Sequence, residues 1–267
     1  MRLLNTTDYT FRTFNSEQLE PYAILSHCWS QDPEQPELTY QDVLGGAFSG
    51  DSPGWRKIEQ HCRISRARGF AWAWVDTCCI DKRDSVELSE AINSMFAWYR
   101  DAAECYVFLL DVDIAQVSQV RSIDMNGTWR QGLDRAILRN IDDFCASRWF
   151  LRGWTLQELL APSTTLFYNQ EFQLLGTKEE LAPMLSYATG IEVHYLTGTA
   201  NIQEACVAQR MSWAAQRATT RTEDMAYCLL GIFNVNMPLL YGEGNKAFIR
   251  LQIEIINCLQ DASIFAW

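Results

Sequence analysis

One glutamate stands among tryptophans and aliphatic residues in the stretch RWFLRGWTLQELLAP. A helix over residues 149–161, ended by Pro162, is the predicted element. On this helix Glu158 shares a face with Trp154 and Leu151, four and seven residues earlier. An apolar wall disfavours the ionised carboxylate and raises its pKa. Such a group can bind a sugar diol or stabilise a ribosyl cation, as glycosidic cleavage requires, but the residues alone favour a structural Glu paired with a nearby Arg, because structural ion pairs are common.

A second set of polar residues follows the apolar runs that predict strands. YAILSHCW, FAWAWVDTCCI and CYVFLLDV are nearly continuous in apolar side chains, which is typical of strands buried on both faces. Ligands of open α/β sheets bind outside the carboxyl ends of such strands. At two of those ends stand a hydroxyl, an imidazole, an indole and two carboxylates: Ser26, His27, Trp29, Asp76 and Asp81. These groups suit a sugar and a flat base, although a Ser or His there can equally satisfy local backbone groups.

Cysteines and glycines offer weaker possibilities. No spacing among the nine cysteines and three histidines matches a zinc module, so no metal site is predicted. A cysteine hydrolase that uses Cys78 or Cys79 with His27 is conceivable, but buried inert thiols are favoured. Gly242 and Gly244 precede a helical pattern without the remainder of a phosphate-binding motif, which indicates a turn.

Helical patterns separate the predicted strands. WRKIEQHCRISRARG predicts a helix ended by Gly69, and we interpret its basic residues as a solvated face. Asp84 predicts the start of the next helix. The alternation predicts an α/β domain over residues 1–163, with a mostly parallel sheet and flanking helices. Residues 164–267 are expected to form a hairpin and a mainly helical annex packed on that domain.

Composition excludes some partners. The net charge of −11 would repel a phosphate backbone, so no nucleic-acid partner is expected. The N-terminal MRLLNTTDYTF lacks an apolar region long enough for a signal peptide, and the most apolar run is too short to span a bilayer. A soluble, cytoplasmic protein with reduced thiols is the expectation.

Three blocks in this order resemble the signature blocks of the fungal heterokaryon incompatibility (HET) domain: YAILSHCW, WAWVDTCCIDKRD with the helix through INSMFAWYRDA, and RWFLRGWTLQE. The resemblance covers roughly residues 1–160. RTEDMAYCLLGIFNVNMPLLYGEGNKAF then resembles the helical extension that often follows HET domains. This implies a cell-death module for non-self recognition, either a short family member or part of a longer protein with a C-terminal nucleotide-binding and repeat region.

A more distant resemblance links the same blocks to TIR domains. AILSHCW resembles the first TIR strand, and RWFLRGWTLQEL resembles the TIR block of Trp-Cys-x-x-Glu-Leu type, with Thr155 in place of Cys. The matching glutamate of enzymatic TIR domains cleaves NAD at the nicotinamide–ribose bond. A TIR-like (flavodoxin-like) fold and an NAD glycohydrolase with Glu158 as catalytic residue are therefore implied.

The same resemblance implies self-association and NAD as substrate rather than as a resident cofactor. The substrate-binding set expected on it is Ser26, His27, Trp29, Asp76, Asp81, Arg152 and Trp154. Within that set, the indoles of Trp29 and Trp154 are expected to stack on a ring of the dinucleotide. The alternative is a non-enzymatic signalling or oligomerisation module in which Glu158 is structural.

Overall fold

Seven strands form one mixed sheet in the computed structural model, which describes residues 1–30, 32–34, 36–46, 52–114 and 135–266. The strands are β1 (Arg2–Asn5), β2 (Phe11–Thr13), β3 (Tyr22–His27), β4 (Trp72–Trp74), β5 (Glu104–Phe108), β6 (Thr165–Tyr168) and β7 (Leu174–Thr177). Their spatial order is β2-β1-β4-β3-β5-β6-β7. The neighbours β4, β3, β5 and β6 run parallel, whereas β1, β2 and β7 join antiparallel at the two edges. The α/β class and the three predicted central strands are confirmed.

The helices between the strands begin and end where local residues allow. The elements are α1 (Tyr40–Leu44), α2 (Pro53–Ala67), α3 (Ser85–Asp101) and α4 (Arg135–Cys145). Pro53 opens α2, and Gly69 follows its end with a φ of 90° that suits glycine. The Asp84 side chain caps α3 by accepting from the backbone of Val86 and Glu87, as predicted.

The two faces of the sheet carry different helices. Along β3, side chains alternate between the faces. The Tyr22 hydroxyl donates to the Trp98 carbonyl of α3 at 2.5 Å, while the His27 ring meets Lys57 of α2. Ser26 shares the face of Tyr22, so Ser26 and His27 point away from each other although they are adjacent in sequence.

The chain from Thr155 onward continues the same sheet and core. Its helices are α5 (Thr155–Leu160), α6 (Lys178–Thr189), α7 (Val193–Leu196), α8 (Val207–Ala214), α9 (Asp224–Tyr227), α10 (Leu230–Phe233) and α11 (Lys246–Cys258). The predicted hairpin is present as β6 and β7. Its turn is held by the Asn169 side chain, which accepts from the backbone of Glu171 and Gln173. One buried hydrophobic cluster includes residues from both sides of position 163, and a domain boundary there stays a prediction.

The predicted continuous helix over residues 149–161 is wrong. A short 3₁₀ turn covers Arg148–Leu151, Arg152 is extended with φ −84° and ψ 138°, and only Thr155–Leu160 is α-helical. Leu151 is therefore exposed while Glu158 is buried, and the two do not share a helical face. Within the described residues, no helix is both long and apolar enough to cross a bilayer.

Close packing of α10 on α3 gives a test of this architecture. A Cβ added at Gly231 would lie 2.1 Å from the Cβ of Phe96, so Gly231→Ala must push the two helices apart. We expect a loss of about 1–3 kcal/mol in the free energy of unfolding, measured by urea denaturation. Gly45→Ala is the control, since Gly45 has a φ of −77° and its added Cβ would meet no atom closer than 3.2 Å. Equal losses in both variants would contradict this packing.

Candidate functional site

Glu158 of α5 lies buried beneath the carboxyl end of β3. Its carboxylate accepts a hydrogen bond from the Ser26 hydroxyl, and the Ser26 oxygen accepts from the indole nitrogen of Trp149 at 2.8 Å. The hydroxyl of Tyr99, on α3, donates to the Leu25 carbonyl at 2.9 Å and also lies within reach of Glu158. Only 7% of Glu158 is exposed, and Ser26 is fully buried. Ser26 and Glu158 are thus in direct contact, and the roles predicted for them stay predictions.

Burial controls the ionisation of Glu158. Loss of solvent raises its pKa to about 8, and the negative charge of Asp76 acts in the same direction. The hydrogen bond from Ser26 and the positive charge of Arg152 oppose this rise only in part. Glu158 is therefore mostly protonated at neutral pH, and a cation brought next to it would favour its ionised form.

His27 and Asp76 form a second group on the α2 side of the sheet. The His27 Nδ1 atom lies 3.3 Å from the Lys57 ammonium, and its Nε2 atom lies 3.1 Å from the Asp76 carboxylate. Because an ammonium can only donate, the ring proton belongs on Nε2, which donates to Asp76. Asp76 also accepts from the Trp29 indole at 2.7 Å. Burial would raise the Asp76 pKa, but the His27 hydrogen bond and the Lys82 charge outweigh burial and lower it to about 2.

Two carboxyl groups with opposite ionisation thus face the same end of the sheet. Asp76 stays ionised while Glu158 holds a proton, a separation that acid–base sites use. The Trp29 ring is 38% exposed, and the Lys82 ammonium lies 3.6 Å from its centroid. Among the described residues, no three His, Cys, Asp or Glu side chains are grouped so that they could hold a metal.

Two residues of the predicted set have other partners. The Asp81 carboxylate accepts from Gln41 at 2.9 Å and from Arg83, in the loop that leads to α3. The Trp154 indole donates to Asp224 at 3.3 Å, so this ring packs toward the C-terminal helices. The substrate-binding roles of all seven residues stay predictions.

Residues 22–158, from the start of β3 to Glu158, match the family model described as heterokaryon incompatibility protein (HET). The chain belongs to this family. It is also 41% identical, over 272 aligned positions that include 99% of the chain, to the vegetative incompatibility protein HET-E-1 of Podospora anserina. The chain spans 19% of the length of that relative. No solved structure gives a significant match.

Sequence reasoning missed two side chains that hydrogen-bond the site residues of this HET protein, Lys57 to His27 and Trp149 to Ser26. Lys57 is 6% exposed and pairs with Glu37, so the interpretation of the basic residues of α2 as a solvated face is wrong for this one. Its position four residues before buried His61, on the same helical face, was the available signal. Trp149 was counted only as an apolar neighbour, because sequence does not reveal where an indole N–H points.

The cysteines of this site are not arranged for nucleophilic catalysis. Cys78 and Cys79 are 0% and 2% exposed. The neighbouring Cys79 thiol and burial together raise the pKa of Cys78 well above its usual range, which disfavours the reactive thiolate. Both ring nitrogens of His27 are engaged by Lys57 and Asp76, so His27 has no free nitrogen to act as base.

Thiol alkylation tests the inert state of these cysteines. With iodoacetamide on the native protein, we expect exposed Cys206 and Cys258 to be modified first and Cys78 only after denaturation. Mass spectrometry of proteolytic peptides gives the order of modification, and urea-denatured protein is the control in which every cysteine reacts. If Cys78 in the native protein were labelled as fast as Cys206, the cysteine would be reactive, and the cysteine-hydrolase hypothesis would be supported.

The pKa of Glu158 makes stability depend on pH. The carboxyl binds its proton more tightly in the folded state, with a pKa of about 8, than in the unfolded chain, where the ordinary pKa is 4.5. The protonated Glu158 carboxyl therefore adds fully to the free energy of unfolding below about pH 4.5, and this contribution is lost as the pH rises toward 8. The loss is on the order of a few kcal/mol. Glu158→Gln, which cannot ionise, should therefore gain stability relative to wild type between pH 5 and 8 in urea denaturation. Parallel pH profiles for the two proteins would contradict the raised pKa.

Proposed function

We propose that this HET protein cleaves NAD at the nicotinamide–ribose bond and thereby triggers cell death in heterokaryon incompatibility, with Glu158 as the catalytic carboxylate. The observation that carries the proposal is the buried Glu158 carboxyl held by Ser26 at the end of a parallel strand. A carboxyl in that place is already removed from water and oriented. Such a group stabilises positive charge at a sugar carbon better than a solvated one does.

The topology of the sheet supports a TIR-like fold. Numbered in chain order, the four parallel strands lie in the spatial order 2-1-3-4, which begins the flavodoxin-like order. In such sheets ligands bind outside the carboxyl ends of the first and third strands, where the connections leave for opposite faces. Here these strands are β3 and β5, and Ser26 lies on β3.

The chemistry needs one carboxylate and one water. As the bond from ribose C1′ to the nicotinamide nitrogen breaks, its electron pair neutralises the pyridinium, and positive charge develops at C1′. The Glu158 carboxylate stabilises that charge until water attacks C1′, and the water proton is released. Nicotinamide and ADP-ribose are the products. The cationic nicotinamide ring itself favours ionisation of Glu158 when it binds.

Other residues of the predicted set supply binding. The Arg152 guanidinium, whose charge acts on Glu158, suits the pyrophosphate, and the exposed Trp29 ring suits a base. Asp76, which His27 positions, accepts from the Trp29 indole and so orients that ring. Asp81 and Trp154 would complete the rim after a movement of their present partners.

Self-association and a longer parent protein belong to the same proposal. HET-E-1 is named a vegetative incompatibility protein, and the chain corresponds to 19% of its length. We propose that this module acts within such a larger protein, whose C-terminal nucleotide-binding and repeat region would bring copies together and activate cleavage.

A non-enzymatic signalling module is the alternative that one observation favours. Glu158, Ser26 and Trp149 satisfy one another by hydrogen bonds inside the protein, as a purely structural cluster would. In that case the surface of the module recruits partners, and Glu158 only fixes α5 against β3.

Nicotinamide release separates the two functions. The purified protein, at several concentrations and with a crowding agent, is incubated with NAD and analysed by chromatography. We expect release that rises more steeply than protein concentration and falls at least about 100-fold in Glu158→Gln. Exposed Glu204→Gln is the matched control and should leave the rate unchanged. If no nicotinamide were released under any of these conditions, the enzymatic proposal would be contradicted.

A further inference from the structure

The turn that precedes Glu158 is held by the C-terminal extension, which comprises residues 164–266. The Ala218 amide donates to the Leu151 carbonyl at 2.7 Å, and the Gly153 amide donates to the Ala218 carbonyl at 2.9 Å. These bonds pair the extended Arg152 with Ala218 as a parallel bridge. A Cβ at Gly153 would lie 2.5 Å from a methyl carbon of Thr219, so the extension packs directly on this turn. The helix break before Glu158 therefore depends on residues beyond the region that the family model matches.

The buried Arg217 side chain stabilises this turn by hydrogen bonds. It is 6% exposed, and one guanidinium nitrogen, Nη1, donates both to the Arg152 carbonyl and to the Thr155 hydroxyl oxygen, each at 3.0 Å. The Thr155 hydroxyl in turn reaches the Trp149 carbonyl at 2.5 Å. Thr155 is the first residue of α5 and stands one helical turn before Glu158. Arg217 thus connects both sides of the break and sets where α5 begins.

The charge of Arg217 is not explained by helix stability. A cation at the N-terminus of a helix opposes the helix dipole, and burying it costs free energy. Burial lowers the Arg217 pKa to about 10, so the group stays charged at neutral pH. Its Nη2 atom is buried and has no hydrogen-bond partner among the described residues. The Glu158 charge raises the pKa of Arg217, and by the same interaction Arg217 favours ionised Glu158.

We propose that Arg217 is a positioning residue for Glu158, and that the C-terminal extension is therefore part of the HET site. Arg217 does two things: its donors fix the bend that aims Glu158 at Ser26, and its charge acts on the Glu158 carboxyl. A role in catalysis rests on the proposed NAD cleavage, whereas the effect on Glu158 does not. The titration of Glu158 and the release of nicotinamide measure the two separately.

The Trp149 indole N–H gives a readout that needs no activity. It donates to Ser26, which donates to Glu158, so its NMR shift follows the protonation of Glu158. With ¹⁵N-labelled tryptophan, we expect this signal to titrate across neutral and alkaline pH in wild type. Trp149→Phe assigns the signal, and the titration should vanish in Glu158→Gln.

Substitutions of Arg217 test its role. Arg217→Met keeps the apolar stem but removes the charge, and we expect the Trp149 midpoint to move up by about half a pH unit or more. Arg217→Lys keeps the charge but loses the forked donors, so its midpoint should move less. Nicotinamide release should fall about 10-fold or more in both, because α5 loses its fixed start.

Arg210→Met is the matched control. Arg210 is also buried in the extension and also donates to a carbonyl, that of Ile232, but its bonds stay within the extension. It should change neither the midpoint nor the release. A midpoint in Arg217→Met that equals that of Arg210→Met would overturn the proposal, even if release were lost. If wild type released no nicotinamide, NAD cleavage would fail, and the midpoints would still decide the role of Arg217.

Discussion

The burial of the Glu158 carboxyl against Ser26 is the contact on which the rest of the site depends. A carboxyl without water keeps its proton unless a nearby positive charge compensates. Here Ser26, itself held by Trp149, and Tyr99 provide donors next to it, and Arg152 and Arg217 supply the positive charge. The protein thus holds a neutral acid at rest whose ionisation a bound cation can trigger. This property suits a group that must stabilise a short-lived positive charge on a sugar.

The sheet separates two electrostatic environments that lie only one residue apart in sequence. On the α3 and α5 face, Ser26 meets a carboxyl that burial keeps protonated. On the α2 face, His27 meets Asp76, which its partners keep ionised. The alternation of side chains along β3 is enough to produce this difference. One strand end therefore has a proton-bearing carboxyl beside one face of the sheet and an ionised carboxylate beside the other.

Much of the fold could be predicted from the sequence, because apolar runs and caps are local signals. The continuous apolar residues of β3 and β5, the Asp84 cap and the Gly69 helix end all lie where the patterns indicate. The patterns also place Ser26 at the carboxyl end of a strand, but only the structure shows its contact with Glu158. The helix break at Arg152 was missed because its cause, the pairing with Ala218, lies more than sixty residues away. Arg217 was missed for the same reason, since its partners are distant backbone carbonyls and the Thr155 hydroxyl, which no motif reveals.

Isotope-edited infrared spectroscopy of the Glu158 carboxyl, with Glu158→Gln subtracted to assign the band, tests the central claim most directly. The account predicts a protonated carboxyl band in the free protein at neutral pH, and its replacement by a carboxylate band when NAD binds. An ionised carboxylate in the free protein, or a protonated band that NAD leaves unchanged, would contradict the assignment of Glu158 as the group that meets the sugar cation.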